Sequence, residues 1–431
     1  MERIAIIGAT GLIGTSIAAS LASRGFHLVK VARHVEGNAL SQSGVVWKAA
    51  EVGRTSRVEW AVLLEDVTAV VNCAGALQDG PSDDLDGTHR SGLSELIAGC
   101  QAAGVRRFIH FSAMGIDRAT PTKFSTTKYA GDEILSGSSL DWVILRPSVV
   151  LGAPVYGASA LIRGLSSLPV LPVMPGTGPL RPVALEDVVA TVEHFLHQEA
   201  RTRVAVELAG PEYFEFSDLV GLYRRWLGLA PAVEFALPRW LASIAYGLGD
   251  MTGRLGWRPP VRSTARAEIA RGAVGDDTEW KLVTGIEPRR ISQILEARPA
   301  SVQDRWFATL YLLKPVVISS LVLFWIGSGL ASVGPGFSAG LGLMKQGGVT
   351  DPWANFVIMA GGAADLAVGV GMAIRRTTHL ALLAGIAVSA AYALAGSIVT
   401  PWLWFDPLAS LLKIAPVIAL MLVGLATLRD R

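Results

Sequence analysis

The sequence has little charge for its length. Charged residues make up 17% of its 431 residues, below the roughly 25% of typical soluble proteins, while apolar residues make up 51%. This balance indicates that part of the chain lies in lipid. The formal net charge is only +2, and no basic run is interleaved with aromatic residues, so we exclude a nucleic-acid-binding protein.

Cysteine is equally scarce. Cys73 and Cys100 lie in apolar or helical contexts without CxxC or histidine-rich spacing, so we predict neither a disulfide framework nor a metal site. The apolar stretch from Ile4 to Ala22 is interrupted by glycines and has no convincing cleavage site. We therefore expect no secretory signal.

The first 300 residues alternate short β-branched runs with helix-like stretches, a pattern typical of a doubly wound parallel sheet of the α/β Rossmann type. A core over about 1–150 is followed by a Gly- and Pro-rich run over 152–182, where we place the start of a small substrate lobe over about 151–300. Helices are predicted over 183–198 and 216–227. The predicted strands are Arg3–Ile7, His27–Ala32, Ala69–Cys73, Arg107–Phe111 and Trp142–Leu145.

Residues 301–431 contain long runs with almost no charge. Four of these runs, over about 315–334, 353–374, 379–400 and 407–428, are near or above the roughly 20 residues that a helix needs to cross a bilayer. We therefore predict an all-α bundle of four transmembrane helices. Asp365 and Lys413 are the only Asp, Glu, Lys or Arg residues within these runs.

The basic residues of the loops predict the orientation of this bundle. They lie before the first span, between the second and third spans and after the fourth, whereas the opposite loops contain only Lys345. We expect a multi-pass inner-membrane protein with the N-terminal domain and the C-terminus in the cytoplasm. The residues that carry this prediction are Arg305, Lys314, Arg375, Arg376, Arg429 and Arg431.

The strongest chemical signal is a glycine-rich turn after the first predicted strand. Gly8, Gly11 and Gly14 are spaced as in a dinucleotide-binding turn, and a predicted helix, Leu12–Ser23, follows at once. A pyrophosphate needs backbone N–H groups and a helix N-terminus at close range, which side chains at Gly8 or Gly11 would block.

Arg33 directly follows the second predicted strand, at a place where NAD-binding proteins usually have an acidic residue. A guanidinium suits a 2′-phosphate, so we favour NADP(H) as the cofactor, and NAD(H) remains an alternative.

Several further motifs, in this order, resemble the atypical extended short-chain dehydrogenase/reductases of the NmrA-like and NADH-ubiquinone oxidoreductase accessory-subunit type. The likeness covers about residues 1–300. It rests on the glycine turn together with Val71–Gly75, Phe108–Ser112, Lys128 with Gly131–Glu133, Leu145–Ser148, Arg181–Val183 and Glu186–Asp187.

The resemblance implies a set of residues around the cofactor. Ser112 and Lys128 are the implied catalytic residues. The implied cofactor-binding residues are Gly8, Thr10, Gly11, Leu12, Ile13, Gly14, Arg33, Asn72, Ala74, Gly75, Ser112, Lys128, Pro147 and Ser148.

One position departs from the pattern of these reductases. They have a tyrosine four residues before the active-site lysine, and this sequence has Phe124 there. A phenyl ring cannot transfer a proton, so Lys128 can still hold a ribose while ordinary carbonyl chemistry is in doubt. Tyr129 is adjacent to Lys128 and points elsewhere on a helix, which makes it a poor substitute.

Residues 301–431 resemble the DoxX-like membrane domain, on the strength of Gly361–Gly369 and of Trp404–Pro407 followed by Lys413. Asp365 and Lys413 are both predicted to lie inside the bundle. We form the hypothesis that they pair there in a polar site, the alternative being that Lys413 reaches the outer headgroups while Asp365 stays neutral.

Two functions are compatible with the sequence. One is a membrane-anchored oxidoreductase that acts at the cytoplasmic face on an apolar or quinone-like substrate. The other is a non-catalytic NAD(P)H-binding accessory or sensor protein of a membrane assembly. A transporter built around Asp365 is a third, weaker hypothesis. The bilayer is the expected partner, and a homo-oligomer or a larger membrane complex remains open.

Overall fold

The computed structural model describes residues 2–35, 43–81, 83–118 and 122–428. The chain forms two compact units. The first unit consists of Met1–Met251 and Pro259–Thr309, and the second unit consists of Thr252–Arg258 and Leu310–Arg431.

The described strands form one large sheet and two small ones. Seven parallel strands make the large sheet in the order β10-β6-β5-β4-β1-β2-β3, and β11 pairs with β8 and β7 with β9. This order places the crossover between β1 and β4, where ligands bind in open α/β sheets. The strands are β1 Arg3–Ile7, β2 His27–Ala32, β3 Val45–Ala49, β4 Ala69–Asn72, β5 Arg107–Phe111, β6 Asp141–Pro147, β7 Val150–Leu151, β8 Val170–Val173, β9 Val183–Ala184, β10 Val204–Leu208 and β11 Val233–Ala236.

Helices cover both faces of the large sheet, which is why its strands read as nearly continuous apolar runs. Alternate residues of β1 point to opposite faces: Ile4 and Ile6 join one buried cluster, and Ala5 and Ile7 join the other. The α-helices of the first unit, of which α8 ends in the second unit, are α1 Leu12–Ser23, α2 Arg57–Leu63, α3 Gly92–Ala102, α4 Lys123–Ser136, α5 Ala158–Leu165, α6 Leu185–Leu196, α7 Phe216–Trp226, α8 Arg239–Arg254, α9 Ser263–Arg271, α10 Thr278–Thr284 and α11 Ile291–Ala297.

The predicted α/β fold is confirmed, and all five predicted strands are present with bounds within two residues of the expected ones. The helix predicted over 183–198 is wrong at its start, because residues 183–184 pair with β7 as a short strand and the helix begins at Leu185. Six of the described strands were not predicted: β3, β7, β8, β9, β10 and β11.

The second unit is helical. Its helices are α12 Val302–Val333, which begins in the first unit, α13 Phe337–Gln346, α14 Trp353–Ala373, α15 Thr378–Val399 and α16 Ile414–Leu428. Among the described residues, α12, α14 and α15 are long and apolar enough to cross a membrane. Helices α12 and α14 pack closely because both have glycines in the contact: a Cβ at Gly329 would lie 2.8 Å from Gly362 O.

The fourth predicted span is not a full-length helix. It begins at Ile414 instead of 407 and has 15 described residues, because Asp406 accepts the backbone N–H groups of Leu408 and Ser410 and holds a turn there. Lys413 precedes this helix, so its placement inside the span was wrong. Arg429 and Arg431, which supported the orientation, lie outside the described residues.

Candidate functional site

The glycine turn joins β1 to α1 at the carboxyl edge of the large sheet. Gly8 has φ +76°, and a Cβ there would lie 3.0 Å from Ala74 N, so the position needs glycine. The N–H groups of Gly8 and Ala9 donate to Val31 O at 3.0 and 3.1 Å. These bonds tie the turn to the end of β2.

The turn leads directly into the N-terminus of α1. Gly11 is the N-cap and provides no side-chain cap, so the first N–H groups of the helix are left for an anion. A Cβ at Gly14 would lie only 2.4 Å from Gly8 O, which keeps α1 tight against the turn. Thr10 is exposed, and Leu12 and Ile13 are half-buried. The cradle therefore fits a pyrophosphate.

Arg33 follows β2 at the same edge. Its Nη1 lies 3.0 Å from Asp83 Oδ1, and the two side chains are 39% and 16% exposed. Asp83 comes from the loop after β4, which sequence reasoning did not connect with Arg33. The carboxylate neutralises part of the guanidinium charge, so a 2′-phosphate would compete with Asp83 for Arg33.

The segment after β4 lies beside the turn. Asn72 is buried, and its Oδ1 accepts the Ala74 N–H at 3.1 Å while its Nδ2 lies 3.2 Å from His110 Nδ1. His89 Nε2 accepts the Ala76 N–H at 3.2 Å, and its Nδ1 lies 3.0 Å from Thr127 Oγ1. Burial and the charge of nearby Lys128 lower the pKa of His89 to about 2, so this imidazole is neutral.

Lys128 enters the site from α4. Its Nζ donates to Phe111 O at 2.7 Å, and a Cβ on Gly75 would lie 3.5 Å from it. Burial lowers the pKa of Lys128 to about 8, although the nearby charge of Asp132 opposes this shift. Two donors of the ammonium remain for a ligand when it is charged.

Phe124 lies one turn before Lys128 on the same helix. Its ring packs edge-on against His89, with the ring centroids 5.7 Å apart. Tyr129 is 40% exposed, as its position on the helix predicts. Neither residue provides a phenol at the position of the usual proton donor.

Ser112 follows β5 and is 7% exposed, yet its Oγ has no hydrogen-bond partner of good geometry among the described residues. It lies close to the carboxyl group of Asp132, whose Oδ2 accepts from Arg146 at 3.0 and 3.1 Å. Burial raises the pKa of Asp132, although Ser112, Arg146 and Lys128 oppose this. A buried hydroxyl without a partner is the kind of group that a ligand completes.

Pro147 is the last residue of β6, and Ser148 follows it directly. Ser148 is buried, and its Oγ donates to Ala273 O at 2.8 Å, so this hydroxyl is already engaged within the protein.

The neighbouring surface of α9 holds a second polar cluster. Glu268 accepts from Ser125 Oγ at 2.8 Å and is paired with Arg271, which also donates to Ser125.

The structure thus gathers the predicted residues at one edge of the sheet. Arg33 lies at the end of β2, Ser112 and Lys128 lie together, and the others line the segments between them. Sequence reasoning missed three groups that surround this edge, because each reaches it through the fold: His89, Asp83 and the Glu268–Arg271 pair. His110, Asp132 and Arg146 lay within the quoted motifs, but their contacts could not be predicted from spacing. The binding roles themselves stay predictions.

Two family models match the chain. Residues 8–164 match a family described as NAD(P)H-binding, and residues 322–422 match the DoxX-like family. The first unit thus contains a region similar to NAD(P)H-binding domains, and the second unit contains a region similar to the DoxX-like family.

Curated relatives share parts of the chain. It is 27% identical over 170 residues to an uncharacterised protein of Mycobacterium tuberculosis, covering 39% of this chain and 17% of that protein. It is 26% identical over 232 residues to the 40 kDa subunit of mitochondrial NADH-ubiquinone oxidoreductase of Neurospora crassa, covering 51% of this chain and 60% of that subunit. It is 23% identical over 193 residues to the ceramide reductase of Caulobacter vibrioides, covering 44% and 60%. The chain spans at most 60% of the length of these three relatives.

Solved structures share the fold of the first unit. A Bacillus cereus UDP-glucuronic acid 4-epimerase in complex with UDP-glucuronic acid and NAD superposes with a TM-score of 0.52 at 16% identity, covering 72% of this chain and 99% of that chain. The Bordetella bronchiseptica enzyme WbmG in complex with NAD and UDP gives 0.54 at 16% identity, covering 71% and 96%. At this identity the likeness establishes the fold alone.

Proposed function

We propose that the protein is a membrane-anchored NAD(P)H-dependent oxidoreductase acting at the cytoplasmic face on an apolar or quinone-like substrate. The observation that carries this proposal is the position of Lys128 beside Ser112. Lys128 donates to the carbonyl of Phe111, the residue before Ser112, and keeps two further donors, and the buried Ser112 hydroxyl has no protein partner of good geometry among the described residues. A purely structural domain has no need for two such groups at the edge that the glycine turn also reaches.

Different residues bind different parts of the cofactor and the substrate. The N–H groups at the start of α1 hold the pyrophosphate, and Lys128 hydrogen-bonds the ribose next to the nicotinamide. When bound, the nicotinamide supplies a hydride. Ser112 orients the accepting group of the substrate. Because Phe124 cannot donate a proton, the substrate must take its proton from water or hold the added charge, which a quinone does more readily than a ketone.

The cofactor that we favour is NADP(H). Arg33 follows the second strand, beside the place where the adenosine ribose of the dinucleotide binds in this fold, and its guanidinium suits a phosphate. The ion pair with Asp83 weakens this preference without removing it, because a doubly charged phosphate competes well with a single carboxylate. NAD(H) therefore binds as well, with lower affinity.

The second unit supports a cellular placement in the inner membrane. We propose that its long apolar helices, three of which are candidate spans, cross this membrane in several passes, and the basic residues Arg375 and Arg376 between α14 and α15 favour a cytoplasmic side for that loop. The first unit then faces the cytoplasm too. An apolar substrate reaches it from the bilayer.

An accessory or sensor role is the second candidate, and Phe124 is the observation that favours it. The ring fills the position of the usual proton donor and packs on His89. The matched Neurospora crassa protein is named as a subunit of NADH-ubiquinone oxidoreductase, a membrane assembly. In this role the bound dinucleotide stabilises the domain without being turned over.

Kinetics of the purified full chain in lipid nanodiscs separate the two roles. We expect oxidation of NADPH by a short-chain quinone and none by a small water-soluble ketone. Lys128→Met should abolish the quinone reaction, and Tyr129→Phe is the matched control that should leave it intact. Phe124→Tyr should fold and gain ketone turnover.

Each other outcome has a definite meaning. Binding of NADPH without turnover of either acceptor supports the accessory role. Rapid ketone turnover by the unaltered protein would show that another acid replaces the tyrosine. If no dinucleotide binds, both candidates fail.

A further inference from the structure

Asp365 lies inside the second unit, on the second of its long apolar helices. It is 3% exposed, and each carboxyl oxygen has one hydroxyl partner from another helix. Ser328 of α12 lies 2.7 Å from Oδ2, and Tyr392 of α15 lies 2.8 Å from Oδ1. The hypothesis of a pair with Lys413 is wrong, because Lys413 is exposed and precedes α16.

The tyrosine has a second neighbour that restricts the hydrogen bonds. Tyr392 OH also lies 3.1 Å from Gly361 O, which can only accept. Gly361 permits this approach, since a Cβ there would lie 3.2 Å from the same hydroxyl. A phenol has one proton, so it can donate to Gly361 O or to Asp365, but not fully to both.

Protonation of Asp365 resolves this competition. A neutral carboxyl group donates to Tyr392 OH, Tyr392 donates to Gly361 O, and Ser328 donates to the other carboxyl oxygen, so that every polar atom is satisfied. An ionised Asp365 would take the phenol proton for itself and would carry a full charge in apolar surroundings.

No opposite charge compensates such an ion in the part of the chain that the structure describes. Tyr392 is the titratable side chain against Asp365. The basic residue Lys345 pairs with Asp351 at 2.9 Å, and Arg375 donates to Leu428 O and lies over the ring of Trp257. Helices α12, α14 and α15 thus surround Asp365 with hydroxyl and apolar groups.

We propose that Asp365, Tyr392 and Ser328 form a proton-binding site within the membrane domain, with the proton carried by Asp365 at neutral pH. The site exchanges its proton through Tyr392, the titratable side chain in hydrogen-bond contact with Asp365. Loss of the proton turns the phenol from Gly361 O to Asp365, so that protonation is coupled to the contact between α14 and α15. This inference is independent of any reaction in the first unit.

Infrared spectroscopy of the full chain in nanodiscs tests the proposal directly. An unionised carboxyl group has a carbonyl stretch that a carboxylate lacks. We expect this band in the unaltered protein at pH 7 and its loss in Asp365→Asn. The amide that replaces the carboxyl group in this variant can make the same two hydrogen bonds, to Tyr392 and from Ser328, so the variant should fold. The matched control is Asp406→Asn: Asp406 is held ionised by the backbone N–H of Ser410, which lowers its pKa, so the band should not change.

Hydrogen–deuterium exchange in heavy water then tests whether the proton of Asp365 exchanges through Tyr392. The band of Asp365 should shift at once in the unaltered protein and more slowly in Tyr392→Phe. Tyr311→Phe, at the other tyrosine of the second unit, should exchange as the unaltered protein does. A missing band at pH 7 would overturn the proton site, and equal exchange in Tyr392→Phe would overturn the role of the tyrosine.

Discussion

Two buried aspartates, one in each unit, are held in opposite ways. Asp304 of the first unit lies 2.9 Å from Arg163, and both side chains are nearly inaccessible. Asp365 of the second unit has only hydroxyl partners among the described residues. A buried carboxylate is stable when a guanidinium faces it, whereas a carboxyl group among hydroxyls is stable when it is neutral. The same side chain is therefore a fixed charge in one unit and a proton carrier in the other.

The largest predicted effect follows from this contrast. Asp304→Asn removes the charge opposite Arg163 and should destabilise the first unit by about 3–5 kcal/mol, because a buried guanidinium is left uncompensated. Asp365→Asn should cost less than about 1 kcal/mol, since an amide replaces a neutral carboxyl group of the same shape. Unfolding midpoints in detergent measure both. Similar losses in the two variants would mean that the carboxyl groups do not differ in charge.

The next largest effect concerns the glycine turn of the first unit. We propose that this turn holds the pyrophosphate with backbone N–H groups and not with charged side chains. Gly14→Ala places a Cβ 2.4 Å from Gly8 O, so α1 must move away from the turn. We expect the affinity for NADPH to fall about a hundredfold or more, equivalent to about 2.7 kcal/mol. Gly247→Ala is the matched control, because nothing lies within 4 Å of its Cβ. Fluorescence titration of NADPH distinguishes the variants, and an unchanged Kd for Gly14→Ala would remove the pyrophosphate from this turn.

The two units also differ in how much of them the sequence could reveal. Apolar runs and the glycine spacing predicted β1, α1 and the parallel character of the sheet, whereas the expected positions of Ser112 and Lys128 came from the family resemblance. The pairing of Arg33 with Asp83 was not predictable, because the two residues are separated by 50 positions and meet only through the fold. In the second unit, hydropathy located the apolar runs, but not the turn that Asp406 holds. It also could not show that Tyr392 faces Asp365, since hydropathy averages over all sides of a helix.

A smaller effect on cofactor affinity is expected at the ion pair between Arg33 and Asp83 in the first unit. Arg33→Ala should lower the affinity for NADPH about ten- to a hundredfold, with little change for NADH, because one charge-assisted contact to phosphate is worth roughly 1.5–3 kcal/mol. Asp83→Asn should raise the affinity for NADPH, since a competing carboxylate is removed. The control is Arg24→Ala, at the far end of α1. Equal losses for both cofactors in Arg33→Ala would sink the 2′-phosphate assignment.

The smallest effect is the pH dependence of NADPH affinity that the titration of Lys128 causes. Arg163 is paired with Asp304, whereas Lys128 is a buried cation that makes no such ion pair among the described residues. Its pKa falls from 10.5 to about 8 on burial, so the ammonium predominates below pH 8 and the neutral amine above it. The affinity for NADPH should be constant up to about pH 7 and should then weaken roughly fivefold as the charge is lost, because a charged donor is worth about 1 kcal/mol more than a neutral one. The unfolded chain binds more protons than the folded one between pH 8 and 10.5, so this group makes folding more favourable as pH rises through that window and has no pH effect below it. Lys128→Met should abolish both dependences, and Lys48→Met, at an edge strand, serves as the control. If the affinity of the Lys128→Met variant weakens with pH as that of the unaltered protein does, another group near the dinucleotide carries the titration.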